Sequence, residues 1–202
     1  MHSPFARNAA ATAVRAYLAE IGSVYLGKVY DPKNDGVSED AWTITMDHFR
    51  QRCAYCNREG KSLPKGVKLT REHLIETNQW QCGLHHPANV IPACSQCNVS
   101  RDRSEDGSRV SWEEHLQNLG KRHGWTPATV EKRRLHIRKF VEQGGYPDIT
   151  DAEMAYLQTT SQKLYRDVLA LCVAGRRVMS PFVARTPCGS RLRLPQKSLP
   201  SF

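Results

Sequence analysis

Cys53-Ala-Tyr-Cys56 and Cys94-Ser-Gln-Cys97 bracket two further runs, Leu69-Thr-Arg-Glu72-His73-Leu74-Ile75 and Asn89-Val-Ile-Pro-Ala, and Asn98 follows the last cysteine directly. In each CxxC pair two residues separate the thiols, a spacing at which one tight turn presents both sulfurs to a single ion. Two such pairs complete the tetrahedral thiolate shell that zinc prefers, and a closed four-thiolate shell has no open position for water. The sequence therefore predicts a structural zinc at Cys53, Cys56, Cys94 and Cys97, one that supports folding rather than chemistry. Cys82, Cys172 and Cys188 are left over as ordinary free cysteines.

Outward from these pairs the chain alternates periodic segments with breaks. Val67 to Ile75 and Asn89 to Ala93 have strand character, joined by a loop that contains Gly83 and Pro87. After Cys94 the pattern favours a short helix toward Ser104. On the N-terminal side, residues 7–27 suggest a helix, 31–40 are a polar break, and Ser38 can cap a second helix over about 39–51. On the C-terminal side, Ser111 with Glu114 is a capping box for a helix to about Lys121. Thr126 before Pro127 opens a basic helix to about Gln143, and Thr150 with Glu153 opens another to about Ala174. Beyond Ser180 four prolines and several arginines without periodicity predict a flexible basic tail.

The expected fold is thus α+β and mostly helical, a small strand-strand-helix core with a structural zinc, flanked by N- and C-terminal helices. The divisions are an N-terminal helix and linker (1–37), the zinc-bearing core (38–106), a helical C-terminal region (107–179) and the tail (180–202).

Charge is uneven along the 202 residues. Lys and Arg number 29 against 20 Asp and Glu, a formal charge of +9. Residues 1–100 carry 11 basic and 9 acidic side chains, whereas 101–202 carry 18 and 11. Lys121 to Lys139 holds seven basic residues and a single acid, Glu131, and from Val168 onward six basic residues meet no acid. A basic half of this kind suits a polyanion such as nucleic acid, and a solvated surface is the plainer reading. The apolar run Val168 to Gly175 is far short of the roughly 20 residues that span a bilayer, so a membrane protein is not expected. The first residues read as an amphipathic Ala-rich helix and not as a secretory signal, and the CxxC pairs suit a reducing compartment; the expected location is cytoplasmic.

The order of these motifs closely resembles the HNH endonuclease family, whose ββα-metal core is often stapled by a four-cysteine zinc. Glu72-His73 stands where the family has an acid and its first histidine, Asn89 where its central asparagine opens the second strand, and Asn98 at its third motif position, with Arg101 where a basic residue often follows. The stretch Trp42 to Arg52 is similar to the family's lead-in helix, and the likeness covers about residues 40–105. Gly83-Leu-His85-His86-Pro departs from the usual Gly-rich loop, which leaves the loop's substrate contacts open; the two histidines either shape the loop or touch metal or substrate.

Hydrolysis of a phosphodiester needs a base for water, a cation against the developing charge and a stabilised leaving oxygen. His73 is the natural base, since a free imidazole titrates near pH 6.5. Glu72 and Asn98 offer hard oxygen ligands suited to Mg²⁺ or Mn²⁺. The resemblance implies that Asn89 holds the loop and helps orient His73, and that Arg101 contacts a phosphate. Arg71, Lys132, Arg133 and Arg134 are the further candidates for substrate contacts. Trp80, Trp112 and Trp125 are more often core than base-stacking residues in a chain of this size.

These implications add up to a metal-dependent DNA endonuclease, bacterial or phage-encoded, of restriction or mobile-element type, with RNA as an open alternative substrate. The competing expectations are a non-catalytic zinc module that binds nucleic acid, and a nuclease subunit of a larger complex. A homodimer or a protein partner would engage the helical C-terminal region.

Overall fold

A computed structural model of the chain describes residues 3–30, 36–99, 101 and 110–184. Its centre is a two-stranded antiparallel sheet, β1 (Leu69–His73) and β2 (Val90–Cys94), in the register Leu69↔Cys94 through His73↔Val90. All five residues of β2 are buried, in keeping with its unbroken apolar composition, whereas β1 is half-buried throughout. Strand β1 is shorter than its strand-like run Val67 to Ile75, whereas β2 keeps the length of Asn89 to Ala93 and is displaced by one residue.

Five helices surround the hairpin: α1 (Pro4–Leu26), α2 (Gly36–His48), α3 (Trp112–His123), α4 (Pro127–Gln143) and α5 (Asp151–Ala184). The described chain is therefore mostly helical with a small antiparallel sheet, and none of its helices is long and apolar enough to cross a membrane. Local chemistry explains where the helices start. The side chains of Ser3, Ser111 and Thr126 each accept a hydrogen bond from a backbone N–H three residues on, and Pro4 and Pro127 supply preset φ angles. Thr150 and Glu153 exchange bonds reciprocally at the start of α5.

Several boundaries differ from the sequence expectation. Helix α1 begins at Pro4, capped by Ser3, and not at residue 7. Helix α2 spans 36–48 instead of 39–51, because Arg50 (φ 51°) and Gln51 (φ 57°) adopt left-handed conformations that turn the chain into the first CxxC pair. Helix α5 continues ten residues past Ala174 to Ala184, so the proposed division at 179/180 falls inside a helix. Residues 95–97 form a turn after β2; the remainder of the helix expected toward Ser104, and the tail from residue 185, lie outside the described residues apart from Asn98, Val99 and Arg101.

Apolar side chains collect in two clusters. One joins the hairpin to α3 and α4 and contains Tyr55, Leu74, Ile91, Leu116, Leu119, Ile137 and Phe140 together with the buried cysteines. The other lies where α1 meets α5, and holds Val14, Leu18, Leu157 and, from the loop joining β1 to β2, Cys82 and Leu84. That loop is therefore gripped by the two terminal helices.

Candidate functional site

The four cysteines converge as their spacing predicts. The sulfurs of Cys53, Cys56, Cys94 and Cys97 all lie within 4.8 Å of one another, and Cys56 Sγ is 3.8 Å from Cys94 Sγ. Zinc–sulfur bonds of about 2.3 Å in a tetrahedron put sulfurs about 3.8 Å apart, so this set can hold a zinc ion. The backbone N–H groups of Cys56 and Cys94 point at Cys53 Sγ, at 3.5 and 3.3 Å. Hydrogen bonding from Cys53 pulls the Cys56 and Cys94 thiols down, to about 2 and about 6, and those same contacts push Cys53 up. A metal at this set would take the cysteines as thiolates. Around it, His115 is fully buried, with Nε2 3.0 Å from the Cys97 carbonyl, and it fixes the second pair to α3.

The hairpin sorts the remaining motif residues onto two faces, because successive side chains of a strand point in opposite directions. Thr70 and Glu72 occupy one face. There Asn98 Nδ2 donates to Thr70 Oγ1 at 2.9 Å and to the Arg71 carbonyl at 3.2 Å. Glu72 Oε1 is 2.9 Å from Arg101 Nη2, with side-chain exposures of 12% and 1%. Arg101 also donates to the carbonyls of Leu74, at 2.8 Å, and of His73. Its guanidinium is spent inside the protein, on the strand end that carries His73, and does not face a phosphate from solvent.

The oxygen ligands that the HNH resemblance implies for Mg²⁺ or Mn²⁺ do not make a ready cation site here. The Glu72 carboxylate already faces a guanidinium, whose charge would oppose a dication, and the Asn98 amide nitrogen is bonded to β1. Among the described residues, the cysteine set is the single grouping of three or more His, Cys, Asp or Glu side chains with converging ligand atoms.

Arg71 and His73 occupy the opposite face. The Arg71 guanidinium lies over the Trp42 ring, 4.8 Å from its centroid. His73 Nε2 is 2.9 Å from His85 Nδ1, and the His85 ring packs against Tyr30 with centroids 4.7 Å apart. Burial, then the neighbouring His85 and Arg101, pushes His73 down to about 4, so its imidazole is neutral at physiological pH. Tyr30 is itself buried, which pushes its phenol up to about 12.

Asn89, buried at the start of β2, ties off the loop that carries His85. Its Oδ1 accepts from Ile75 N at 2.8 Å, and its Nδ2 donates to the carbonyls of Ile75 and Leu84, each at 2.9 Å. The helices complete the grip: Tyr146 Oη accepts from Leu84 N at 3.0 Å, and Gln158 Nε2 donates to the Trp80 carbonyl at 2.9 Å. His86 is buried, its Nδ1 accepting from Ala88 N at 3.2 Å in the turn that leads into β2, so it shapes the loop. His85, by contrast, stands beside His73, and sequence reasoning left its part open. Its neighbour across twelve residues of irregular loop follows no periodicity, so no local signal could have found it.

The basic helix α4 divides as well. Lys132 is exposed, whereas Arg134 is paired with Glu131 at 2.7 Å. Arg133 is half-buried, and burial lowers its guanidinium, an effect that nearby Cys56 and Cys53 oppose only in part. Trp112 and Trp125 pack against the core, and Trp80 is 61% exposed. Comparison with protein-family profiles, with curated proteins and with solved structures finds no match for this chain.

Proposed function

We propose that this protein is an HNH-type endonuclease that hydrolyses phosphodiester bonds in DNA, with His73 as the general base that activates water. The observation that carries the reading is the pairing of chemistry on one strand face: a neutral imidazole at His73 and a guanidinium two residues away at Arg71. A phosphodiester laid along that face meets a base and a cation together. The hairpin with Asn89 at its second strand and a zinc-competent cysteine set beneath it supports the same reading.

In the reaction, His73 takes a proton from water, the water oxygen bonds to phosphorus as the bond to the 3′ oxygen breaks, and the departing 3′ oxygen takes a proton from solvent. The products are a 5′-phosphate and a 3′-hydroxyl. Arg71 offsets charge on the non-bridging oxygens, and the exposed Lys132 on α4 adds a phosphate contact whose strength falls with salt. Zinc at the four cysteines holds the fold. No step is assigned to a divalent cation at Glu72 and Asn98, since the Glu72 carboxylate is paired with the Arg101 guanidinium.

That engagement favours a second reading, in which the same scaffold binds nucleic acid without cutting it. Plasmid DNA, linear duplex and RNA, incubated with zinc-loaded protein at several salt concentrations, with and without added Mg²⁺, Mn²⁺ or EDTA, decide between the two. Nicking that disappears in His73→Ala supports the nuclease. Retention of DNA on a gel shift with no cleavage of any substrate supports the binding module. A homodimer or protein partner engaging the exposed end of α5, where Leu171, Val178 and Met179 are solvent-facing, accommodates either reading.

A further inference from the structure

We infer that His85 is a positioning residue for His73: its Nδ1 accepts the Nε2–H of His73 and fixes the tautomer in which His73 Nδ1 carries the lone pair. The inference rests on the reading of His73 as the base and extends it to a residue of the loop and to the N-terminal helix.

The two ring nitrogens face one another at 2.9 Å, a hydrogen-bond distance that requires one N–H and one lone pair. A neutral imidazole has a single N–H. If His85 donated, His73 would carry its own hydrogen on Nδ1 and have no lone pair left for water. With His73 donating through Nε2, the Nδ1 lone pair is free to take the proton. The imidazolium that results keeps its Nε2–H on an acceptor; the reverse arrangement would set two N–H groups against each other. The third member of a nucleophile triad serves its histidine in the same way, by holding tautomer and orientation. The contribution of His85 is chiefly geometric.

Parts of the chain outside the hairpin hold His85 in place. Tyr30 packs against its ring in a tilted arrangement. Gly22 of α1 lies so close to its backbone that an added Cβ would come 2.5 Å from the His85 carbonyl oxygen. Asn89 anchors the preceding residue, Leu84, through its carbonyl, and Tyr146 through its N–H. The N-terminal segment is thereby part of the catalytic apparatus, and not an appendage to the core.

Two measurements on the zinc-loaded full chain test this. In ¹⁵N spectra of the histidine rings, His73 is expected to be protonated at Nε2, with a scalar coupling across the hydrogen bond to His85 Nδ1; protonation at Nδ1 would overturn the inference. In cleavage assays, His85→Phe retains a ring against Tyr30 but no acceptor, and kcat is expected to fall by about 10- to 100-fold with KM little changed. His85→Asn, whose side-chain oxygen takes roughly the Nδ1 position, is expected to recover most of that loss. Wild-type kcat in His85→Phe, with zinc content and melting unchanged, would also overturn it. If the wild-type protein cuts no substrate, the nuclease reading fails, and the nitrogen spectra still decide whether His85 sets the His73 tautomer.

Discussion

Arg101 Nη2 lies 2.9 Å from Glu72 Oε1, and both side chains are withdrawn from solvent. Breaking such a pair from one side strands the other charge, which costs more than the pair contributes. Arg101→Ala is expected to destabilise the protein by about 3–5 kcal/mol. Arg101→Met combined with Glu72→Leu removes both charges and should be markedly less damaging. Urea melts of the zinc-loaded variants measure the difference; a single variant as stable as wild type would show that the pair is not sealed from water.

The cysteine set predicts a linked loss of metal and fold. Cys97→Ser is expected to lower bound zinc from about one per chain to well below that, and to lower the melting temperature at the same time. Metal analysis and a thermal melt on one sample provide the check. Normal zinc with normal melting would refute four-thiolate ligation.

His48 and His136 stack with ring centroids 4.8 Å apart, packed against Phe49 and Phe140. Burial lowers both; Lys139 adds to the effect on His48, and His48, Arg133, Arg50 and Lys139 add to that on His136. A histidine whose folded pKa is depressed binds its proton more readily when unfolded. Its stabilisation is complete above about pH 6.5 and drains away as pH falls through the lower folded value. The double variant His48→Phe, His136→Phe should therefore lose less stability than wild type between pH 7 and 5.5. Equal slopes in denaturant titrations at matched zinc content would contradict the assignment.

Gly22 supplies a test far from the chemistry in sequence. Gly→Ala inside a helix ordinarily gains up to about 1 kcal/mol from propensity. Here the new Cβ would press on the His85 carbonyl. Gly22→Ala is expected instead to cost about 1–3 kcal/mol and to slow cleavage while zinc content is unchanged. A stabilised variant with full activity would show that α1 does not seat the loop.

Much of the fold was legible because its signals are local. Caps and N1 prolines placed α3 and α4 within two residues of their observed ends, and CxxC spacing brought four sulfurs together. Helix α5 runs past its expected end near Ala174, and the lone Gly175 that follows is tolerated within the helical pattern. The orientation of Glu72 was readable and missed: neighbours on a strand face opposite ways, so Glu72 and His73 cannot share one side while β1 stays regular. Arg101 was assigned to phosphate on its place after Asn98, yet its guanidinium closes on Glu72 and two carbonyls. That long-range pairing, like the contact of His85 with His73, depends on how the loop folds back and has no sequence period to announce it.

The account stands most directly on His73, and the decisive measurement is the rate of cleavage of an end-labelled DNA duplex by wild-type and His73→Ala proteins matched for zinc content and melting temperature. The account predicts cleavage by the wild type, giving 5′-phosphate and 3′-hydroxyl ends, and a rate at least about 100-fold lower in His73→Ala. Equal rates in the two proteins would contradict it.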